Sequence, residues 1–152
     1  MSEWMEEVEE MVYPGRIKVP YKWSVGEYGS HFFIELRDNK KIWGTKCPKC
    51  KIVFVPPRNV CPRCFTKIEE WVELGSEGTL LTYTVVHYKS PVSPLEPPYG
   101  YGIIKLEGAD TGLTHLLSEM DFEKIKIGMK VRAVFKEKRE GNILDIKYFK
   151  PV

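Results

Sequence analysis

Apolar and polar positions along the chain change their period twice. Among the acidic residues of Met1–Tyr13, the residues Trp4, Met5, Val8, Met11 and Val12 recur at roughly helical spacing. The segment reads as a short helix or as an arm that folds against a partner. Pro14-Gly15 ends it, and Arg16 to Trp23 reads as extended. Ser24-Val25-Gly26-Glu27 has the form of a capping box, in which a hydroxyl takes an orphan amide and a carboxylate three residues on returns the contact. Behind it Val25, Tyr28, Phe32 and Leu36 recur at helical intervals, with Phe33 beside them, which predicts a helix over 25–38 ending in Asp38-Asn39.

From Gly78 onward the period is that of strands. Thr79 to Lys89 is a long β-rich run, and Ser90 to Gly100 is a loop because Pro91, Pro94, Pro97 and Pro98 interrupt it. Tyr101 to Glu107 and Leu113 to Ser118 are the next two strands, separated by a turn over Gly108 to Gly112. Asp121 is placed to cap one helical turn containing Phe122 and Ile125. Val131 to Lys138 and Ile143 to Lys150 form a last hairpin across Arg139 to Asn142. Five strands with a short helix between the third and fourth is the order of an OB-fold barrel, although SH3-like barrels give a similar string.

Between helix and barrel lies Cys47-Pro48-Lys49-Cys50, a ten-residue spacer, and Cys61-Pro62-Arg63-Cys64. Two residues between cysteines let one tight turn aim both sulfurs at a point, and its backbone amides can donate to the thiolates. Two such knuckles at the ends of a hairpin complete a tetrahedron, the geometry of structural zinc, with iron as the rival the same four thiolates would accept. Four thiolates close the shell, so the ion is a staple for a segment too short to build its own core. The expected class is therefore mainly β with N-terminal helices: a helical segment over 1–40, a rubredoxin-like zinc ribbon over 41–71 and a five-stranded OB-fold over 72–152.

Composition narrows the function. Apolar content of 43% with 29% charged residues is that of an ordinary globular chain, and no apolar run approaches the length needed to span a bilayer. Met1 to Glu10 carries five glutamates and no apolar run of the signal-peptide kind, so the cytoplasm is the expected compartment, where paired cysteines point to metal rather than to disulfides. The net charge of +2 hides a segregation: residues 40–68 hold eight bases and no acid, while residues 69–152 hold thirteen acids and eleven bases. Catalysis finds no support. His31, His87 and His115 have no nucleophile or carboxylate at a telling distance, and no glycine-rich phosphate loop exists. Tyr83, Tyr88, Tyr99 and Tyr101 gather around the first barrel strand and the proline loop. On an OB-fold such rings stack on single-stranded nucleic acid; they are equally the material of a core and a loop latch. The barrel half lacks the basic stripe that tracking phosphates requires.

The order of landmarks resembles the prokaryotic family known as domain of unknown function thirty-five. These are Trp43-Gly44, the first cysteine pair, Phe54-Val55-Pro56-Pro57-Arg58, the second pair, Trp71-Val72-Glu73, Gly78-Thr79-Leu80, Pro98-Tyr99-Gly100 and Ile127-Gly128-Met129-Lys130-Val131. The likeness covers about residues 24 to 150 and matches Cys47, Cys50, Cys61 and Cys64 to the family's metal ligands. It implies a non-catalytic accessory subunit of an acyl-CoA-handling complex. Such a subunit would hold a thiolase-fold enzyme such as acetyl-CoA acetyltransferase together with hydroxymethylglutaryl-CoA synthase and help to cover the CoA channel. The alternative reading is a single-stranded nucleic-acid-binding OB-fold protein. Lys49, Arg58 and Arg63 on the ribbon, with Tyr83 and Tyr99 on the barrel, are the candidate ligand contacts; a phosphorylated CoA would meet the bases by charge and bidentate bonding. Trp4, Tyr13, Trp23 and Trp43 are candidate apolar anchors for a partner.

Overall fold

The computed structural model describes residues 11–15 and 19–152. The expected helix or arm before Met11 lies outside the described residues, as does Trp4. Among the described residues one α-helix, α1 (Gly26–Asn39), precedes eight strands: β1 (Ile42–Lys46), β2 (Val53–Phe54), β3 (Glu70–Leu74), β4 (Glu77–Val86), β5 (Tyr99–Leu106), β6 (Leu113–Leu117), β7 (Lys130–Phe135) and β8 (Ile146–Pro151). Strands β2, β1 and β3 form a small antiparallel sheet, and the other five close a barrel in the order β4-β5-β6-β8-β7. All barrel pairings are antiparallel except β6 with β8, joined at Leu117 and Phe149. This is the five-stranded OB-like barrel that the strand order predicts.

Helix α1 forms because Phe32 and Leu36, four residues apart, share the face turned inward, where both are buried with Ile42. Its start differs from expectation. Ser24 accepts from the Gly26 amide at 3.1 Å rather than from that of Glu27, and no side chain caps Val25, so the capping box does not form. Gly26 at φ +72° turns the chain into the helix without that device. The exit is a left-handed Lys40 whose amide returns to the Glu35 carbonyl.

Three barrel boundaries also move. β5 begins at Tyr99 rather than Tyr101, because Tyr99 and Gly100, expected in the proline loop, pair with Val86 and Val85. β4 ends at Val86, not Lys89, because its partner β5 begins opposite it at Tyr99 and nothing beyond that residue is left to pair with. The final hairpin is shorter than 131–138 and 143–150 because the loop curls into a 3₁₀ turn at Ile143–Asp145. There the buried Asp145 carboxylate accepts from the Glu140, Gly141 and Asn142 amides, at 2.9, 2.7 and 3.2 Å. Asn142 caps the turn through the Leu144 amide. The expected helical turn after Asp121 is a single hydrogen-bonded turn, Lys124 N to Asp121 O at 3.0 Å, with no helix built on it.

The ribbon sheet and the barrel share a core. Ile42, Val53, Val55 and Leu74 belong to the same buried cluster as the barrel residues Leu80, Ile104, Leu117, Val131 and Phe149. Each such side chain contributes about 1.5–3 kcal/mol by leaving water. The β5–β6 turn then grips the ribbon edge. Asp110 accepts the Val53 amide on its carboxylate at 2.8 Å and donates its own amide to the Val53 carbonyl at 2.9 Å. The Thr111 hydroxyl accepts from Val55 N at 2.9 Å and donates to Val55 O at 3.1 Å. This completes the exposed side of the two-residue strand β2, which pairs with β1 on its other side. Among the described residues, no helix is long and apolar enough to cross a membrane.

Candidate metal centre

The two cysteine pairs sit on matched turns. In the first, Lys51 N donates to Cys47 O at 2.9 Å and Cys47 N to Ile52 O at 2.9 Å. In the second, Phe65 N donates to Cys61 O at 2.9 Å and Cys61 N to Thr66 O at 3.0 Å. Each closes with a non-glycine residue in the left-handed region, Lys51 at φ +62° and Phe65 at φ +56°. Sequence reasoning missed that strain. The signal was the internal repeat itself, since two copies of Cys-Pro-basic-Cys must turn the same way.

The turns bring the four sulfurs together, all within 4.8 Å of one another. Cys47 and Cys61 are fully buried, Cys50 and Cys64 partly so, and Phe54, Ile68 and Ile52 pack around them. A metal–sulfur bond of about 2.3 Å in a tetrahedron separates the sulfurs by about 3.8 Å. The Cys47–Cys64 separation of 3.5 Å is of that size, so these residues fit a four-thiolate ion. Cys50 N also points at the Cys47 sulfur, at 3.3 Å.

Electrostatics argue the same way. The Thr66 hydroxyl, 3.3 Å from the Cys64 sulfur, and the Thr66 amide hold the Cys64 thiol down at about 6. Cys50 is pushed up to about 12, first by its hydrogen bond to Cys64 and then by burial and by Cys61. Crowded sulfurs cannot all ionise beside one another without a cation between them. A divalent ion supplies that charge, and its full shell leaves no position for a substrate.

The five candidate ligand contacts do not converge. Lys49 and Arg63 are exposed between the cysteines of each knuckle. Arg58 is exposed on the rim of an open hollow of about 330 Å³, opposite the first turn of α1 from Gly26 to Gly29. Tyr83 is half-buried, donates to the Ile125 carbonyl at 3.0 Å and lines a shallow hollow of about 260 Å³ on the barrel's outer face. Tyr99 is a correction: it is 4% exposed and packs with Leu116 and Tyr148, which removes it from any ligand. Tyr101, two residues on and on the same face of β5, stands edge-on to Tyr99 at 5.8 Å between ring centres, is the more exposed ring, and walls both that hollow and a second of about 260 Å³ beside it. Neither hollow has a lysine, arginine or acid in its lining. Tyr88 is exposed beyond the end of β4.

Among the described residues, no histidine is hydrogen-bonded to a nucleophile or a carboxylate. His31 packs on Trp71 at 4.3 Å between ring centres and edge-on to Trp43 at 5.9 Å, so Trp43 belongs to the α1–ribbon contact. His87 is exposed. His115 is 4% exposed, faces the Ile143 carbonyl at 3.1 Å through Nε2, and leaves Nδ1 unpartnered among the described residues. Tyr13 and Trp23 are exposed.

Comparison with known proteins gives concordant matches. The model of the ChsH2 rubredoxin-like zinc ribbon domain matches residues 35–69, and that of the ChsH2 C-terminal OB-fold domain matches residues 71–136. A DUF35 domain-containing scaffold protein of Methanocaldococcus jannaschii is 35% identical over 114 residues, which are 72% of this chain and 80% of that protein. A protein of the same description from Methanothermobacter thermautotrophicus is 32% identical over 99 residues, 64% of this chain and 73% of the relative. A solved DUF35-family protein of unknown function from Sulfolobus solfataricus superposes with a TM-score of 0.60 at 33% identity, over 72% of this chain and 77% of that one. The Ltp2-ChsH2(DUF35) aldolase structure shares the fold, with a TM-score of 0.62 at 24% identity over 86% of this chain and 98% of that one.

Proposed function

Because this chain belongs to the DUF35 family, whose relatives are named scaffold proteins, we propose that it is a non-catalytic scaffold subunit of an acyl-CoA-handling complex. In this reading it holds a thiolase-fold enzyme, such as an acetyl-CoA acetyltransferase, beside hydroxymethylglutaryl-CoA synthase. One zinc ion is held by Cys47, Cys50, Cys61 and Cys64. When bound, it supplies a cross-link between the two knuckles and no reactive position, because four thiolates fill its shell.

The observation that carries the reading is the convergence of all four sulfurs within 4.8 Å in a chain whose relatives are scaffolds. A closed metal site organises and does not react. The ribbon bases add a second support. Among the described residues, Lys49, Lys51, Arg58 and Arg63 make no ion pair, whereas Lys46 and Lys67 are matched to Glu70 and Glu69. A zinc tetrathiolate carries a formal charge of −2, so these four cations exceed what the centre neutralises and can face the phosphates of a CoA. A single-stranded nucleic acid fits less well. The hollows on the barrel's outer strands offer aromatic surface but no cation to pair with a phosphate.

The test is purification of the tagged chain from its native cells with identification of what accompanies it. A thiolase-fold enzyme in fixed ratio is expected, and elemental analysis should give one zinc per chain. Recovery of nucleic acid without such an enzyme would overturn the scaffold reading, and a stoichiometric iron would overturn the metal.

A further inference from the structure

The second knuckle carries a residue that neither the fold nor the metal requires. Phe65 is 81% exposed and holds φ at +56°, a backbone region disfavoured for a bulky side chain. The turn demands that conformation, because the Phe65 amide must reach the Cys61 carbonyl. It does not demand a phenyl ring. The sister knuckle meets the same demand with Lys51, at φ +62° and well solvated. Among the described residues no aromatic ring stacks on Phe65, so it projects from the tip of the ribbon with both faces free. It sits in a segment of eight bases and no acid, and Lys49, Lys51, Arg58 and Arg63 have no ion-pair partner among the described residues.

From this we infer that Phe65 is a docking peg. It inserts into an apolar pocket bordered by aspartate or glutamate on the enzyme subunit this chain holds, an inference that rests on the scaffold reading above. The ring supplies a buried anchor and the surrounding cations meet the carboxylates, the pairing of aromatic centre and charged rim that concentrates binding energy at an interface. A second copy of this chain does not offer the complement. Its hollows beside Tyr101 are uncharged, and those beside Trp23 and Arg58 each set their one acid, Glu140 or Glu27, beside an arginine, Arg37 or Arg58, which would repel the basic ribbon tip. A nucleotide base would gain one ring face and no opposing wall.

The variant Phe65→Lys copies the residue the sister knuckle already carries, so the turn tolerates it by the chain's own precedent. It should keep one metal ion per chain and an unchanged melting temperature. Its affinity for the purified thiolase-fold subunit of the same organism should fall about 30-fold or more, the size of a hot-spot loss. Raising the salt concentration should weaken the parent chain's binding. Equal affinity of parent and variant would remove the peg and leave the scaffold reading standing. If the parent chain does not bind the enzyme at all, the scaffold reading fails and the peg fails with it. If the substitution abolishes binding of CoA or adenosine 3′,5′-bisphosphate while enzyme affinity stays unchanged, the ring belongs to a nucleotide site and the proposal is wrong. A dimer of the parent chain that the substitution dissociates would overturn it in favour of self-association.

Discussion

The hydroxyl of Thr45 serves both backbone groups of Arg58, accepting from its amide at 2.8 Å and donating to its carbonyl at 2.9 Å. Thr45 is fully buried in β1, so a core position fixes the chain just before the second knuckle and sets where the exposed Arg58 side chain starts. Thr45→Val keeps the shape and removes both bonds. It should lower stability by about 1–3 kcal/mol through the orphaned groups, as measured by urea denaturation, with metal content unchanged. A change below about 0.3 kcal/mol would show that solvent satisfies Arg58 equally well.

Removing the ion should loosen more than the ribbon. Ile42, Val53, Val55 and Leu74 complete the barrel's core, so apo protein should melt earlier as a whole, not as a detached segment. Cys61→Ser, which deletes a buried ligand, should reduce metal content from one ion to none. Tryptophan fluorescence should change as well, because Trp43 and Trp71 lie on ribbon strands β1 and β3. An apo protein with an unaltered melting curve would contradict this.

The grip of the β5–β6 turn on the ribbon edge can be cut one bond at a time. Asp110→Ala removes the acceptor of the Val53 amide and Thr111→Val that of Val55. Each should cost about 1–2 kcal/mol, and hydrogen exchange at those two amides should accelerate selectively. Uniform exchange across the chain would show a global effect instead.

Acid should weaken the fold through His115. Burial lowers its proton affinity below the ordinary value of 6.5, and the Ile143 carbonyl, then the Leu116 backbone, offset this only in part. The unfolded chain therefore takes up the proton first as pH falls. Stability from this group is intact above about pH 6.5 and declines below it, towards the lowered folded-state value. Denaturation midpoints at about pH 7.5 and pH 5.5, with metal retention verified, should differ more for the parent chain than for His115→Leu. Equal slopes would remove His115 as the cause.

What the sequence disclosed follows the range of the forces involved. The cysteine knuckles were legible because a two-residue spacing encodes its own geometry, and the strand string was legible because a barrel wall alternates. Helix α1 was found to within one residue, since Phe32 and Leu36 mark its inward face. The end of β4 was misjudged because it depends on Tyr99 across the proline loop, and the last hairpin because the Asp145 carboxylate gathers three amides of its own loop, a local network that strand alternation does not reveal. Tyr99 and Tyr101 share one face of β5 and look alike in the sequence, yet Leu116 and Tyr148 cover the first and leave the second outward, a difference written in other strands. Asp110 and Thr111 read only as a turn, because their role is written in the partner strand. The exposed Phe65 was silent, as a phenylalanine gives no hint of a left-handed backbone.

The hold of Asp110 and Thr111 on Val53 and Val55 has a consequence for assembly. No flexible tether separates the two halves, so the molecule behaves as a bracket with a fixed angle. A body seated at the knuckles keeps a set bearing and reach from one seated on the barrel wall, whatever the length of the loops between. Spacing between neighbours is thus a property of the fold and is inherited intact by every copy.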